Sequence, residues 1–522
     1  MHPTLFDVAI IGGGLAGNFL ARQLQQTLPH LTIAIFEKKL DTSFKVGEST
    51  VEVASNYMVR RLGLSDYLTQ QQLPKNGLRF FFDQPTLDTP FTEMSELGGV
   101  AFPHYPSFQL DRSRFEADLF EMNQNNGVSI HRGYKVTRIE CGIEPGNRMR
   151  HRFLVEKNSQ VEEIQCRWII DASGRRSLLA HHHRLRVAGP THPLSAVWGR
   201  CTGMADLDAW GPETFRDRIH HSPRHLSTNH FCYPGYWMWI IPLGRGVTSI
   251  GVVGERSMIW RDRIQTMSGF LAFLQQHQAL WALLASAQWL DVGSYQQLGY
   301  NTRQYFSEDG WGLTGEAASF TDPFYSPGSD FIALENDFLT LLIQHDAQGR
   351  SPQSLKGLAQ TLNQYMHFRY EANMGLYQDQ YSLLGSYELL KLKWQLDFPL
   401  YYHLWFSQYL QDHHLNEDFL QEQIQGKTQV LNALRNFSCL FRSVEETLRS
   451  GKDYYRHNSG HFTDALEGVD WVKEVGTPQA PKQTLTRLNQ IFNRTYHRSL
   501  ELMGRTSSPR SLSHFVTADA FV

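Results

Sequence analysis

The sequence predicts an α/β protein with an additional sheet layer and a helical C-terminal region, and three observations support this. The apolar run FDVAII (6–11) leads directly into the glycine-rich stretch GGGLAG (12–17), and a second apolar run, LTIAIFE (31–37), follows. Roughly residues 190–300 alternate apolar runs with turn residues, as sheets do. After about residue 335, glycine and proline become sparse and long aromatic segments of helical appearance begin.

The first element is a strand, helix, strand unit over residues 6–37. Gly12, Gly14 and Gly17 give the spacing GxGxxG at the turn from strand to helix, where glycines let backbone N–H groups approach a pyrophosphate. Glu37 ends the following strand, where a carboxylate can accept hydrogen bonds from a ribose hydroxyl. The full context predicts a bound dinucleotide, and the alternative is a glycine turn with a structural role only.

Further segments fit a nucleotide-binding domain that is interrupted by insertions. They read FQLDRSRFEADLF (108–120), CRWIIDASGRRS (166–177) and DGWGLTGEAASFTDP (309–323). We therefore divide the chain into a core (1–335), a helical region (336–503) and a loosely ordered tail (504–522). Within the core, the predicted nucleotide-binding segments are 1–50, 105–180 and 300–335, and the inserted sheet segments are 51–104 and 181–299.

Composition excludes several classes of function. With 49 Lys and Arg against 52 Asp and Glu, the formal charge of −3 gives no electrostatic case for nucleic acid or an anionic membrane. The five cysteines form no CxxC pair and the 23 histidines show no HxxxH spacing that invites a metal, so we predict neither a disulfide framework nor a metal. No apolar run reaches the ~18 residues of a membrane helix, and the early first strand leaves no room for a signal peptide. We expect a cytoplasmic protein.

The stretch YWMWIIPL (236–243) places Trp237 and Trp239 on one face of a strand, because side chains alternate sides along a strand. For an isolated WxW pattern, core packing in a sheet is the more common explanation. Here Trp237, Trp239 and Pro242 form the motif WxWxIP, and three other stretches accompany it: KVGEST (45–50), LPKNGLRF (73–80) and DPFYSPG (322–328).

Together these motifs resemble the flavin-dependent halogenases, and the phenol- and pyrrole-acting branch rather than the tryptophan halogenases. The resemblance covers nearly the whole chain. It implies an FAD-binding Rossmann fold of the GR2 or p-hydroxybenzoate-hydroxylase type, with an inserted β-sheet substrate layer and a helical C-terminal region that covers the substrate. The absence of a second credible nucleotide fingerprint also favours FAD as the dinucleotide.

The resemblance assigns roles residue by residue. Toward FAD it implies Gly12, Gly14, Gly17, Glu37, Val46, Gly47, Glu48, Ser49, Arg112, Asp171, Glu316 and Asp322. Glu316 stands where the wider flavin monooxygenase superfamily usually has aspartate, and for Arg112 a plain surface helix is the alternative. Trp237, Trp239 and Pro242 would form a gate that keeps organic substrates from the flavin.

Lys75 is the implied catalytic residue, and an amine in the apolar segment LPKNGLRFFF is expected to be buried, which lowers its pKa. A solvated turn is the alternative for this lysine. Ser326, Gly328 and Ser329 would bind the halide, since Pro327 has no N–H to offer. Tyr325 would contact substrate; in the indole-acting members its position holds a glutamate, so a phenol is the expected substrate here.

The implied reaction uses reduced FAD, oxygen and chloride or bromide to form hypohalous acid, which Lys75 passes to an electron-rich, phenolic aromatic in secondary-metabolite (natural-product) biosynthesis. A separate flavin reductase would supply the reduced FAD, and the substrate would be free or tethered to a carrier protein. Two alternatives remain: an FAD-dependent aromatic monooxygenase of the same fold, and a flavin-binding homologue without halogenating activity.

Overall fold

The computed structural model describes residues 4–142, 149–189, 192–209, 211–478 and 480–521. The strands are β1 Thr4–Ile11, β2 Ile33–Glu37, β3 Leu73–Pro74, β4 Leu78–Phe82, β5 Ser95–Gly98, β6 Phe108–Gln109, β7 Ser129–Arg132, β8 Lys135–Cys141, β9 His151–Lys157, β10 Gln160–Asp171, β11 Arg186–Ala188, β12 Leu194–Thr202, β13 Thr228–Tyr233, β14 Tyr236–Gly244, β15 Val247–Glu255, β16 Gln288–Trp289, β17 Gly293–Tyr295, β18 Tyr300–Thr302, β19 Phe306–Ser307, β20 Trp311–Leu313 and β21 Phe462–Asp464. The α-helices are α1 Leu15–Thr27, α2 Glu52–Asn56, α3 Ser65–Gln71, α4 Arg112–Asn125, α5 Leu178–His182, α6 Glu213–Arg216, α7 Arg256–Ile259, α8 Met267–Leu274, α9 Gln278–Leu283, α10 Gly328–Ala347, α11 Pro352–Gly375, α12 Tyr387–Leu400, α13 Ser407–Leu410, α14 Glu417–Ser450, α15 Pro481–Leu502 and α16 Leu512–Val516.

The first sheet holds the predicted nucleotide-binding unit. Its order is β19-β20-β10-β1-β2-β7, with β9 paired to β10 and β8 to β9. Strands β20, β10, β1, β2 and β7 run parallel, and the apolar runs of β1 and β2 are almost fully buried, as is usual for a parallel sheet covered on both faces. Ile11 at the end of β1 lies beside Asp171 at the end of β10, so the glycine turn and the predicted DASG segment meet at one edge.

The second sheet has the order β16-β12-β15-β14-β13-β4-β5-β21, with β17 also paired to β12. Side chains alternate along β14, so Trp237 and Trp239 lie on one face, where they meet residues of the helical region. Met238 and Ile240 lie on the other face and pack against helices α8 and α9. The predicted α/β class, with an additional sheet and a helical C-terminal region, is confirmed. The domain boundaries themselves stay a prediction.

Two features of the C-terminal region differ from the expectation of simple helices. Strand β21 joins the second sheet as a parallel edge beside β5, and three residues are too short for a sequence pattern to reveal. Helix α12 contains Pro399, and a π-helix, Tyr401–Phe406, follows directly. Proline lacks the N–H of a regular helix, and π-helical turns often occur at functional sites.

The tail is not loosely ordered as predicted. Helix α16 buries Phe515 completely, and its ring stacks on Phe437 of α14 with centroids 5.7 Å apart. The side-chain amide of Asn436 donates hydrogen bonds to the carbonyls of Phe515 (2.9 Å) and Thr517 (2.7 Å). The ring of Phe521 stacks on Tyr496 with centroids 5.3 Å apart. Two aromatic rings in a polar segment form no helical or strand pattern, so only the packing decides the docking.

We expect Phe515→Ala to release this tail, because deleting a buried phenylalanine costs about 3–5 kcal/mol of packing. Limited proteolysis should cut the variant near residues 504–511 while the wild type resists. Phe102→Ala, at a side chain that is 64% exposed, is the control. Equal resistance of the Phe515 variant would contradict the docking.

Candidate active site

The glycine turn has the shape that a dinucleotide requires. Gly12 has φ +107°, and a Cβ there would lie 2.3 Å from the carbonyl oxygen of Ala172; at Gly17 a Cβ would lie 2.0 Å from the carbonyl oxygen of Gly12. Glu37 accepts a hydrogen bond from the backbone N–H of Gly13 at 2.9 Å. The structure therefore brings the three predicted glycines and Glu37 together.

Asp171 holds the adjoining loop. Its carboxylate accepts hydrogen bonds from the backbone N–H groups of Ser173 (2.9 Å) and Leu179 (2.7 Å), and burial raises its pKa to about 6. This predicted FAD-binding residue thus shapes the turn beside Gly12 through protein contacts.

A cavity of about 150 Å³ lies between the first and second sheets, and we call it the smaller cavity. Most of the predicted FAD, gate and halide residues line it. These are Val46, Gly47, Glu48, Ser49, Arg112, Trp237, Trp239, Glu316, Asp322, Ser326, Gly328 and Ser329. Pro242 is not part of the lining; it lies in β14 beyond the residues that pair with β13.

The two indoles are fixed walls of the smaller cavity. Their rings are 5.7 Å apart; Nε1 of Trp237 donates to Oη of Tyr381 at 3.2 Å and Nε1 of Trp239 to Oγ of Ser249 at 3.1 Å. A third indole, Trp198, also lines the cavity. Trp198 and Trp239 both lie against Gly251, where a Cβ would come within 2.3 Å of the Trp239 ring. The sequence analysis missed Trp198, which no WxW pattern marks.

Hydrogen bonds hold the strap of residues 45–50 against the rest of the protein at several points. Arg112 donates to the carbonyl oxygen of Val46 at 2.6 Å and to Glu116 at 2.6 Å. Glu48 is buried, and its Oε1 accepts from Arg200 at 2.7 Å, while its Oε2 has no hydrogen-bond partner in the described part of the chain. Burial raises the pKa of Glu48, and Arg200 opposes that rise. Arg200 was missed because nothing in the sequence around it marks an ion pair.

These observations fit FAD. The Gly12 turn leaves no room for a side chain where backbone must approach a phosphate, and the free oxygen of Glu48 faces a cavity lined with aromatic rings. Glu316 also lines the cavity and lies 3.9 Å from Arg175, so a carboxylate stands where the resemblance requires one.

The loop of residues 322–329 is fixed by Asp322. Its Oδ2 accepts from Oη of Tyr381 at 2.7 Å and lies 2.9 Å from Nε2 of His192, and its Oδ1 accepts from the N–H of Phe324 at 2.9 Å. The carboxylate predicted to bind cofactor is thus directed at protein groups.

The halide residues follow at the start of α10. Gly328 and Ser329 begin this helix, where first-turn N–H groups have no partner within the helix and favour an anion. A Cβ at Gly328 would meet nothing within 4 Å, so space is open beside its N–H. Ser326 donates to Oγ of Ser49 at 3.1 Å. Pro327 immediately precedes the helix and has no N–H.

A larger cavity of about 490 Å³ lies on the other side of this loop. Tyr325 and Pro327 line the larger cavity, whereas Ser326, Gly328 and Ser329 line the smaller one. The loop is therefore a wall with alternate residues on its two sides. Tyr325 donates to Oδ2 of Asp397 at 3.0 Å, so its hydroxyl is engaged by the protein.

Lys75 lines the larger cavity and is only 1% exposed, as the sequence predicted. Its Nζ donates to the carbonyl oxygen of Thr50, the end of the strap, at 2.7 Å. Burial lowers its pKa to about 8, an effect that nearby Glu52 and Asp330 oppose. The amine is thus attached to the strap while it faces the larger cavity.

His230 is a further residue that sequence analysis missed. It lines the smaller cavity, its ring lies 4.9 Å from that of Trp237, and burial followed by the charge of Lys75 lowers its pKa to about 3. A neutral imidazole therefore stands between the indole wall and Lys75. Only the pairing of β13 with β14 brings it there.

Two groups of metal-ligating side chains come within 4.8 Å of one another in the described part of the chain: Cys141 with His182 and His183, and Asp206 with Asp208 and His225. Burial raises the pKa of the Cys141 thiol to about 12, which disfavours a thiolate ligand. The expectation of no metal stays a prediction. In the same described ranges, no helix is long and apolar enough to cross a membrane.

Comparison with known proteins first defines the class. Residues 6–241 match the family described as FAD binding domain, which confirms the FAD-binding fold predicted from the sequence. The structure of halogenase PltM in complex with phloroglucinol and FAD superposes with a TM-score of 0.66 over 95% of this chain and 98% of that one, at 16% identity.

Two sequence relatives then narrow the class. The chain is 28% identical to flavin-dependent halogenase chlA of Dictyostelium discoideum over 78% of its own length and 72% of that protein. It is 26% identical to the 1H-pyrrole-2-carbonyl-[peptidyl-carrier protein] chlorinase of Pseudomonas fluorescens over 62% of its own length and 72% of that protein. The predicted resemblance to the flavin-dependent halogenases is confirmed, and the chain is a relative of that group. The roles of single residues stay predictions.

The lowered pKa of Lys75 can be measured directly. Since only the neutral amine reacts with acetic anhydride, labelling of Lys75 should rise with pH and reach half its maximum near pH 8. Mass spectrometry of peptides would follow it, with Lys473, which is 64% exposed, as the internal reference. A Lys75 curve that coincides with that of Lys473 would contradict the effect of burial.

Proposed function

We propose that this protein is an FAD-dependent halogenase that acts on an electron-rich, phenolic aromatic. The observation that carries the proposal is the loop of residues 322–329: it presents the predicted halide residues to the smaller cavity and Tyr325 to the larger one, beside Lys75. The similarity of the chain to flavin-dependent halogenases supports the same conclusion.

FAD, held by the glycine turn, the strap and Arg112, would when reduced supply the oxygen chemistry that converts chloride or bromide into hypohalous acid. The N–H groups of Gly328 and Ser329 would hold the halide, and the hydroxyl of Ser326 would join them by turning its hydrogen from Ser49 to the anion. The indoles of Trp237 and Trp239 are buried walls of the smaller cavity, and there they would keep an aromatic substrate from the flavin while a small anion passes.

Lys75 would receive the hypohalous acid where it reaches the larger cavity. With a pKa of about 8, a fraction of the amine is neutral at pH 7 and able to hold the acid by a hydrogen bond or react with it as a haloamine. Holding a small electrophile next to its acceptor prevents its loss to solvent.

The larger cavity suits an aromatic substrate, since a volume of about 490 Å³ is in the range of drug-sized ligands. Phloroglucinol in the related PltM structure supports a phenol, whereas the relative from Pseudomonas is a chlorinase of a pyrrole bound to a carrier protein. We therefore propose a phenolic substrate, free or carrier-bound, for natural-product biosynthesis in the cytoplasm, with a separate reductase that delivers reduced FAD.

The test is mass spectrometry of a phenol panel incubated with FAD, NADH, a flavin reductase and either halide. Wild type should give products with a halogen isotope pattern, and Lys75→Ala should give about a hundredfold less, because the electrophile is no longer held beside the ring.

Two controls show whether the loss of product comes from Lys75 itself. Flavin fluorescence should show equal FAD content in both proteins, and Lys473→Ala at the cavity mouth should keep full activity. A gain of one oxygen without halogen would favour an aromatic monooxygenase, and bound FAD without any product from free or carrier-bound phenols would favour a homologue that has lost activity.

A further inference from the structure

Two carboxylates line the larger cavity beside Lys75, and no predicted role uses them. Glu52 begins α2, directly after the strap, and Asp330 lies in the first turn of α10, directly after the halide residues. Asp330 is 2% exposed. Both act on the pKa of Lys75, which places them near its amine.

The π-helix of residues 401–406 supplies hydroxyl partners to both carboxylates. Oη of Tyr402 donates to Oε1 of Glu52 at 2.8 Å, and Oη of Tyr401 donates to Oδ2 of Asp330 at 3.2 Å. Oη of Tyr401 also accepts a hydrogen bond from the backbone N–H of Val53, the residue after Glu52, at 3.1 Å. The hydroxyl of Tyr401 therefore joins Asp330 to the start of α2, and Tyr402 is the hydroxyl that holds Glu52 itself.

A proton acceptor accelerates the halogenation of a phenol, because the ring is most reactive as the phenolate. Tyr325 cannot serve, since its hydroxyl is a donor to Asp397 and burial raises its pKa well above the ordinary value. Oxygen Oδ1 of Asp330 is occupied by the N–H of Ala54 at 2.9 Å. Glu52 is half-buried and its open surface faces the cavity, so it is the carboxylate that a substrate can reach.

We propose that Glu52 accepts the hydroxyl proton of the phenolic substrate, with Tyr402 as its positioning partner; this inference rests on the proposed function. The phenolic proton passes to Glu52. A carbon–halogen bond then forms as the halogen–oxygen bond of hypohalous acid breaks, and the hydroxide released takes the ring proton and leaves as water. Glu52 finally returns its proton to the oxygen of the product.

Burial raises the pKa of Glu52 above the ordinary value and that of Asp330 to about 7. A carboxyl of raised pKa is protonated at low pH, so the proposed acceptor gains activity as pH rises. The other ionisable groups that line the cavity are Lys75, His104, Tyr325, Arg369, Tyr377, Asp397, Tyr401, Tyr402, Asp464, Glu467, Asp470 and Lys473. Arg369 lies over the Trp405 ring at 3.9 Å and lowers the pKa of Asp330.

The experiment compares a phenol that wild type halogenates with the methyl ether of the same phenol, which has no proton to give. Glu52→Gln should lower kcat/KM for the phenol about a hundredfold and leave the ether almost unchanged, so that the preference for the phenol collapses. The acid limb of the phenol's pH profile should disappear in the same variant. Hypohalous acid production, followed with the diffusible trap monochlorodimedone, should stay at the wild-type rate.

Glu121→Gln, at an exposed carboxylate of α4 outside both cavities, should keep the preference for the phenol. If Glu52→Gln fails to bind FAD, Tyr402→Phe removes the hydrogen bond that holds Glu52 and should also reduce the preference. An unchanged preference in the folded variant, or equal losses for both substrates, would overturn the inference alone. A wild type that halogenates no phenol would instead overturn the proposed function and this inference with it.

Discussion

The carboxylate of Asp322 is the constraint on which the site depends. Its two oxygens accept hydrogen bonds from Tyr381 and from the backbone of Phe324, so the loop that follows cannot shift independently of the helical region. Since Tyr381 also accepts from Trp237, the same short network fixes the indole wall. Buried networks of this kind are rigid when fully satisfied and costly when one member is lost, because the remaining polar groups have no water to replace it.

A lysine and two carboxylates in one apolar cavity also require a physical explanation. Each charge would be expensive to bury alone, but Lys75 and the two carboxylates have opposite charges and so offset part of that cost. The hydroxyls of Tyr401 and Tyr402 provide hydrogen bonds. The balance leaves Lys75 with a pKa near 8 and Asp330 near 7. Both groups can therefore change protonation near neutral pH, which proton transfer requires.

Two short segments of the chain carry residues of both cavities. The strap ends at Thr50, which accepts from Lys75, and two residues later Glu52 faces the larger cavity. On the opposite side, the segment from Asp322 leads into α10, whose first turn holds the halide residues Gly328 and Ser329 together with Asp330. Each of these two short segments thus contributes residues to both cavities.

Local pattern was enough to predict the glycine turn, the indole pair and a buried Lys75, because each depends on a few adjacent residues. The backbone at Gly12 has a φ that favours glycine, strand alternation puts Trp237 and Trp239 on one face, and the neighbours of Lys75 are apolar. Tertiary structure alone decided the rest. Strand pairing brings Trp198 and His230 to the smaller cavity and Arg200 to Glu48. Tyr401 reaches Asp330 through the π-helix after Pro399, and all these contacts join residues far apart in the chain. The tail docks through two rings, Phe515 and Phe521, for the same reason. A sequence specifies local geometry directly, whereas which distant side chains share a cavity depends on how the sheets and helices pack.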